Sequence, residues 1–253
     1  MTLLRSVAFN LVFWGWTAVM VIGCLPVLIL PGRWSMAAQA AWGRGSIAIA
    51  RGLVGIRYEE RGKKNLPDGP CILAIKHQST FETIAFNFLV YHPAIVLKKE
   101  LLSIPFYGWY ARRAGMIPID RKGTASTMRQ MLRTAEAAVA DGRPIVIFPE
   151  GTRTPAGTAG QYHPGIAGLY RHLKVPVVPV ALNSGVFWPR RTIKKFPGTI
   201  ILDYLPPVAP GLDRRAFMAE LQGRIETASL GLLKDTPVPA VEKPVDNPVN
   251  NGD

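Results

Sequence analysis

The chain's 253 residues are enough to bury one large core, and with 48 % of them apolar it is no disordered polymer. Lys and Arg outnumber Asp and Glu by 30 to 17, for a net charge of +13, and the excess is confined to residues 1–202, which carry 25 basic against 9 acidic side chains. So basic a body fits an anionic partner, either a membrane surface or a phosphorylated substrate; no helix-turn-helix, zinc-finger or RNP-like signature is present, so nucleic acid is not expected.

Between Arg5 and Arg33 lie 27 residues without a charge, "SVAFNLVFWGWTAVMVIGCLPVLILPG". About 20 helical residues cross a hydrocarbon core, so the stretch is long enough, although Gly23 and Pro26 weaken its last turns. It is too long for a cleaved signal peptide, and no small-x-small site follows. "VIGC" mimics a lipoprotein cleavage box, but the residues after Cys24 stay apolar where a polar tether belongs. Next, "RWSMAAQAAWGRGSIAIARGLVGI" sets Arg33, Arg44 and Arg51 among small and apolar residues, as suits a helix lying in the interface or returning toward the same side. Trp14, Trp16, Trp34 and Trp42 all fall in this front end, and tryptophan favours the headgroup level. Residues 1–55 are therefore expected to be membrane-anchoring helices, a hairpin dipping into one leaflet fitting better than a full span.

From Ile56 onward short branched runs alternate with helical spacing. "IRYEE", "CILAIK", "AIVLKK", "GMIPI", "PIVIF", "VPVVPVAL" and "TIILDY" read as strands; "FETIAFNFLVY", "TASTMRQMLRTAEAAVADG" and "GIAGLYRHL" read as helices, the second stopped by Gly142. That alternation predicts an α/β fold, a mostly parallel sheet flanked by helices and preceded by the membrane-embedded hairpin. "DRRAFMAELQGRIETASLGLL" reads as a closing helix, which bounds an expected catalytic domain at 56–233. The proline-rich remainder, 234–253, is expected to be disordered. Cys24 and Cys71 lie in apolar stretches and read as reduced, buried thiols.

Candidate chemistry gathers at "AIKHQSTFET", where His77 follows a buried strand and Glu82 lies five positions on. Ligand sites in open α/β sheets collect outside strand C-termini. A neutral imidazole there accepts a proton near pH 7, and a carboxylate fixes its tautomer. Yet "STFE" also has the form of a capping box, with Ser79 as N-cap and Glu82 as the reaching carboxylate. The stretch alone leaves both readings open. "FPEGTRT" (148–154) follows another strand and carries Glu150 and Arg153; the arginine fits either a bidentate grip on phosphate or an ion pair with Glu150.

Taken with "KKELLSIPFYGWYARRAGMIPIDR" (98–121) and "VPVVPVAL", these stretches resemble the lysophosphatidic acid acyltransferase family (1-acyl-sn-glycerol-3-phosphate acyltransferases), within the glycerolipid acyltransferases. "HQSTFE" stands for the family's H-x-x-x-x-D, and the other three stretches stand in order for its second, third and fourth blocks, over roughly Ile56 to Asp203. The resemblance implies transfer of a fatty acyl group from a CoA or acyl-carrier-protein thioester to the free hydroxyl of lysophosphatidic acid, giving phosphatidic acid. It makes His77 the general base and Glu82 its orienting carboxylate. It places Arg153, Lys98 and Lys99 on the acceptor phosphate, with Glu150, Gly151 and Thr152 shaping that turn. No cofactor or metal is implied beyond the acyl donor as co-substrate. The expected partners are membrane phospholipids and the two substrates, at the cytoplasmic face of the cell membrane.

Two departures stand out. Glutamate replaces the usual aspartate at position 82, putting the carboxylate one methylene further out. "YHPG" (162–165) has His163 where many members carry lysine, which opens a lyso-lipid acceptor without a phosphomonoester. The same chemistry on glycerol 3-phosphate, a lyso-ornithine lipid or another lysophospholipid is the alternative enzyme reading. His163 also reads as a plain surface turn residue. A hydrolase using Ser79 is disfavoured, since that serine lies two residues from His77 without a nucleophile elbow. A catalytically silent basic membrane-binding protein is the alternative of a different class.

Overall fold

The computed structural model describes residues 2–120 and 125–236. Two long helices come first, α1 (Thr2–Gly23) and α2 (Gly32–Val54), joined through a 3-10 turn at Leu25–Ile29. All seven strands expected from the sequence follow: β1 (Ile56–Arg61), β2 (Ile72–Ile75), β3 (Ala94–Lys98), β4 (Ile117–Ile119), β5 (Ile145–Ile147), β6 (Val177–Leu182) and β7 (Gly198–Tyr204). They form one sheet in the order β1-β7-β6-β2-β5-β3-β4. Only the β6–β7 pair is antiparallel. The architecture is thus α/β with a mixed, mostly parallel sheet.

The central strands are buried on both faces, which is why they read as unbroken apolar runs. Successive residues of β2 divide between two cores. Leu73 and Ile75 join Phe9, Phe13, Ile47 and Val54 of α1 and α2, with Phe81 and Ile84 of α3 (Phe81–Ala85). Ile72 and Ala74 join side chains of α5 (Ala125–Ala140), α6 (Gly165–Leu173) and α8 (Arg214–Lys234). Two shorter helices, α4 (Tyr107–Arg113) and α7 (Ser184–Phe187), lie among the loops. Pro179 is tolerated inside β6 because its carbonyl accepts from Leu205 N (2.9 Å), so its missing N–H faces the end of β7, where the ladder stops.

Helix ends follow local chemistry. Asp213 caps α8 through Oδ1, which accepts from Arg215 N and Ala216 N at 2.7 and 2.9 Å. Gly142, at φ +71°, ends α5 as expected. The helix expected over 81–91 is cut to five residues. Asn87 Nδ2 donates to Thr83 O and Ile84 O (2.7 and 3.3 Å), and the Asn87 and Phe88 amides bond three residues back, which tightens the helix into turns.

Helix α1 is long and apolar enough to cross a membrane, with a mean hydropathy of 1.6, and most of it faces outward. Leu4, Leu11, Trp14, Val19 and Ile22 are all at least 64 % exposed. Its other face belongs to the body. Phe9 and Phe13 pack on the buried Trp188, Lys195 N donates to Ser6 Oγ (2.9 Å), and Tyr110 OH donates to Val21 O (2.9 Å). The four front-end tryptophans divide. Trp14 and Trp34 point outward, whereas Trp16 Nε1 donates to Trp42 O (3.1 Å) and Trp42 Nε1 to Thr17 Oγ1 (3.0 Å), locking α1 to α2. Gly45 permits that crossing: a Cβ there would sit 2.4 Å from the Trp16 ring. The first 55 residues therefore share a core with the sheet. The tail expected to be disordered lies outside the described residues from 237 on, while Thr236 is buried and bonded to Leu232 O and Asn183.

Candidate active site

Three neighbouring parallel strands, β6, β2 and β5, end at one edge of the sheet, and the residues just beyond them form the site. After β2 the chain turns at His77, whose backbone is clamped on both sides by the loop that follows β5. His77 N donates to Glu150 Oε2 (2.9 Å), while Thr154 N donates to His77 O (2.8 Å). The imidazole stacks on Phe148, centroids 4.3 Å apart.

Glu82 is wholly buried. Its Oε1 lies 2.9 Å from His77 Nδ1 and accepts from Gln78 N (2.6 Å) and Ser79 N (2.5 Å). Its Oε2 accepts from Ser184 Oγ (2.8 Å), delivered by the turn after β6. The two readings of this stretch are therefore not exclusive, although the helix's N-cap is Thr80 and Ser79 Oγ bonds Phe81 N in place of the Glu82 amide, so only the glutamate's half of a capping box forms. The oxygen that reaches back to the start of the helix is the oxygen that touches the imidazole. Four donors on one carboxylate offset the cost of burying its charge. The contact at Nδ1 leaves Nε2 without a partner among the described residues. Ser79 is wholly buried, its Oγ accepting from Phe81 N (3.0 Å), so it stands behind the cavity and not on its wall.

His77 lines a cavity of about 790 Å³, within the size range of small-molecule sites. Part of its lining is apolar, with Met20, Val21, Ile95, Leu97, Tyr110 and Met116; part is cationic, with Lys98, Arg153, Arg190, Arg191 and Lys195. Arg153 is exposed and donates through Nη1 to Thr80 Oγ1 (2.6 Å); the alternative ion pair with Glu150 is not formed. Gly151 also lines the cavity. Lys98 reaches the wall with Glu100 at 3.5 Å, but Lys99 and Thr152 are exposed away from the lining.

Glu150 is wholly enclosed and takes no place on the cavity wall; its bonds hold the loop after β5 from behind. Its Oε1 accepts from Lys76 Nζ (2.7 Å), Thr154 Oγ1 (2.8 Å) and Gly160 N (3.0 Å). Lys76, itself buried, spends its other donors on Glu226 of α8 (2.8 Å) and Thr158 O (2.9 Å). Tyr162 OH completes the cluster on Glu226 (3.0 Å); burial and the two carboxylates push its phenol well above the usual range. Sequence reasoning named neither Lys76 nor Glu226. A lysine closing a buried apolar run was the one available signal. His163 lines the cavity, so it is more than a surface turn residue. Among the described residues no group of three or more His, Cys, Asp or Glu is placed to hold a metal ion.

A histidine with one nitrogen held by a carboxylate, on the wall of a cavity lined partly by apolar and partly by cationic residues, suits activation of a hydroxyl beside a long acyl chain. Comparison with known proteins gives the same class. Residues 57–183 match the acyltransferase family model. The chain is 38 % identical over 202 residues to the 1-acyl-sn-glycerol-3-phosphate acyltransferase of Pseudomonas aeruginosa, covering 79 % of this chain and 78 % of that one. It is 28 % identical over 204 residues to the human alpha enzyme of that name, covering 79 % and 71 %. The crystal structure of the 1-acyl-sn-glycerophosphate (LPA) acyltransferase from Thermotoga maritima shares the fold, with a TM-score of 0.72 at 21 % identity over 92 % of this chain and 98 % of that one. The class is an acyl-transferring enzyme. More narrowly, the chain belongs to the 1-acyl-sn-glycerol-3-phosphate acyltransferase family.

Proposed function

We propose that the enzyme moves a fatty acyl group from a CoA or acyl-carrier-protein thioester to the free hydroxyl of lysophosphatidic acid, forming phosphatidic acid. The observation that carries this is the His77–Glu82 contact at 2.9 Å on the wall of a cavity lined by both apolar residues and Arg153. His77 Nε2 takes the proton of the acceptor hydroxyl as its oxygen attacks the thioester carbonyl. The tetrahedral intermediate collapses with cleavage of the C–S bond, and the imidazolium returns the proton to the departing thiolate. Glu82 fixes the tautomer and faces the transient positive charge. Such a base contributes about 10²–10⁴-fold, and positioning supplies much of the rest. Arg153, with Lys98, holds the acceptor phosphate, and the acyl chain lies along the apolar part of the lining.

Residues 1–55 form the anchor and 56–233 the catalytic domain. The anchor enters one leaflet at the cytoplasmic face of the membrane. Support comes from the fastening of α1 at Ser6 and Val21 to the body, which leaves its exposed apolar face, and not its length, free for lipid.

The test is turnover of purified enzyme with one labelled acyl donor against lysophosphatidic acid, glycerol 3-phosphate, other lysophospholipids and a lyso-ornithine lipid. Lysophosphatidic acid is expected to give the highest kcat/KM, and His77→Ala to abolish turnover. Preference for another acceptor overturns the substrate assignment; retained turnover in His77→Ala overturns the base.

A further inference from the structure

The stretch "WPRRTIKK", between α7 and β7, matched no expected motif, yet Arg190, Arg191 and Lys195 all line the cavity. The loop is braced from inside. Trp188 is buried with its ring edge-on to Phe9, centroids 5.1 Å apart. Lys195 is also buried; its Nζ donates to Thr192 O and Ile193 O at 3.0 Å each, and its backbone N binds Ser6. Arg191 takes a left-handed φ of +56°, a conformation a non-glycine residue keeps only where its surroundings impose it, often at ligand sites.

Held this way, Arg190 donates through Nη1 to the carbonyl of Arg153. The two residues thus come from different loops, one after β5 and one after α7, touch through that bond, and line the same cavity as His77. That bond uses one of five N–H donors on Arg190. Among the described residues no carboxylate pairs with Arg153, Arg190 or Arg191. Two arginines without a carboxylate partner on one cavity wall suit an anion of more than one charge. A phosphomonoester carries about −1.5 to −2 near pH 7, whereas a phosphodiester headgroup offers −1.

We propose that Arg190 is the second arginine of the acceptor-phosphate site and that, with Arg153, it selects a phosphomonoester dianion over phosphodiester lipids. The proposal rests on the assignment of lysophosphatidic acid as acceptor and names the residue that enforces the choice. Arg153 grips the phosphate from the β5 side, and Arg190 closes on it from the α7–β7 loop.

The test compares wild type, Arg190→Gln, Arg190→Lys, Arg153→Gln and the double Gln variant, as full chains with one labelled acyl-CoA. The acceptors are lysophosphatidic acid and lysophosphatidylglycerol. Arg190→Gln is expected to raise KM for lysophosphatidic acid about 10- to 100-fold, the usual cost of a lost charge-assisted bond. KM for acyl-CoA stays within about twofold, and the preference for the monoester falls as KM for lysophosphatidic acid rises; Arg190→Lys recovers part of the loss. The double variant is expected to be worse than Arg153→Gln alone. If it is no worse, Arg190 merely props the Arg153 loop and the proposal fails. It fails as well if Arg190→Gln raises KM for acyl-CoA instead, because the arginine then serves the donor's phosphates. Wild type inactive on lysophosphatidic acid refutes the substrate assignment itself, a result separate from an active wild type that Arg190→Gln leaves unchanged.

Discussion

Glu82→Gln isolates charge from shape at this site. The glutamine carbonyl can accept from the same three donors that Oε1 holds, His77 Nδ1, Gln78 N and Ser79 N. Its amide would then face Ser184 Oγ, a hydroxyl able to turn and accept. Folding loses charge-assisted bonds and is spared the burial of a charge, so a net change of about 1–2 kcal/mol, a few degrees of Tm, is expected. Catalysis loses more. With the imidazolium and carboxylate charges about 4 Å apart at an effective dielectric of about 20, their attraction is about 4 kcal/mol, or about 10³-fold in rate. The assay is kcat and both KM values with saturating lysophosphatidic acid and acyl donor, beside a thermal melt. A fall of about 10³ in kcat with KM values held is expected. A variant that melts normally and keeps more than a tenth of wild-type kcat would show that Glu82 serves the helix alone, and the orienting role would be wrong.

Three further outcomes follow from the buried polar groups. Lys76→Met leaves Glu150 and Glu226 without the cation between them, which typically costs about 3–5 kcal/mol; a Tm loss of about 10 °C is expected, partly recovered by adding Glu226→Gln, and an unchanged melt would refute the pairing. Burial pushes the Cys71 thiol up to about 11, whereas Cys24 lines the cavity. N-ethylmaleimide at pH 8 is therefore expected to modify Cys24 alone, with acyl donor slowing the reaction and Cys24→Ala abolishing it; equal labelling of Cys71 would contradict its burial. Burial also draws the Lys195 ammonium down from 10.5 to about 8. The unfolded chain then holds that proton more tightly, so the contribution to stability is complete above pH 10.5 and lost as pH falls through 8. Lys195→Met is expected to flatten the rise in stability across that window relative to wild type, and parallel curves would count against the shift.

Which parts of this molecule could be read from its sequence follows from where its interactions are local. The strands were legible because β2, β5 and β6 are buried on both faces and carry uninterrupted apolar runs. Their order was not, since β7 returns antiparallel to lie between β1 and β6, a pairing between distant segments. His77 and Glu82 were legible as a pair five residues apart, but sequence reasoning set orientation against capping, and one oxygen atom does both. Lys76 and Glu226 lie 150 residues apart and meet only because α8 packs across β6. Arg190 was hidden for the same reason: its partner loop comes from a different strand end.

The front end shows the limit of composition most plainly. A stretch apolar on every side carries no periodic signal to say which face is buried. In the structure Ser6, Phe9 and Phe13, spaced by three and four residues, mark the face that packs on Trp188 and Lys195, while Leu4 and Leu11 look away. The apolar helix consistent with membrane anchoring is also part of the cavity wall: Phe13, Met20 and Val21 line the cavity that holds His77. Both sides of α1 need apolar residues, one for lipid and one for the core and the cavity. That double demand is why α1 is apolar on every side, long enough to cross a membrane and yet packed along one face against the protein.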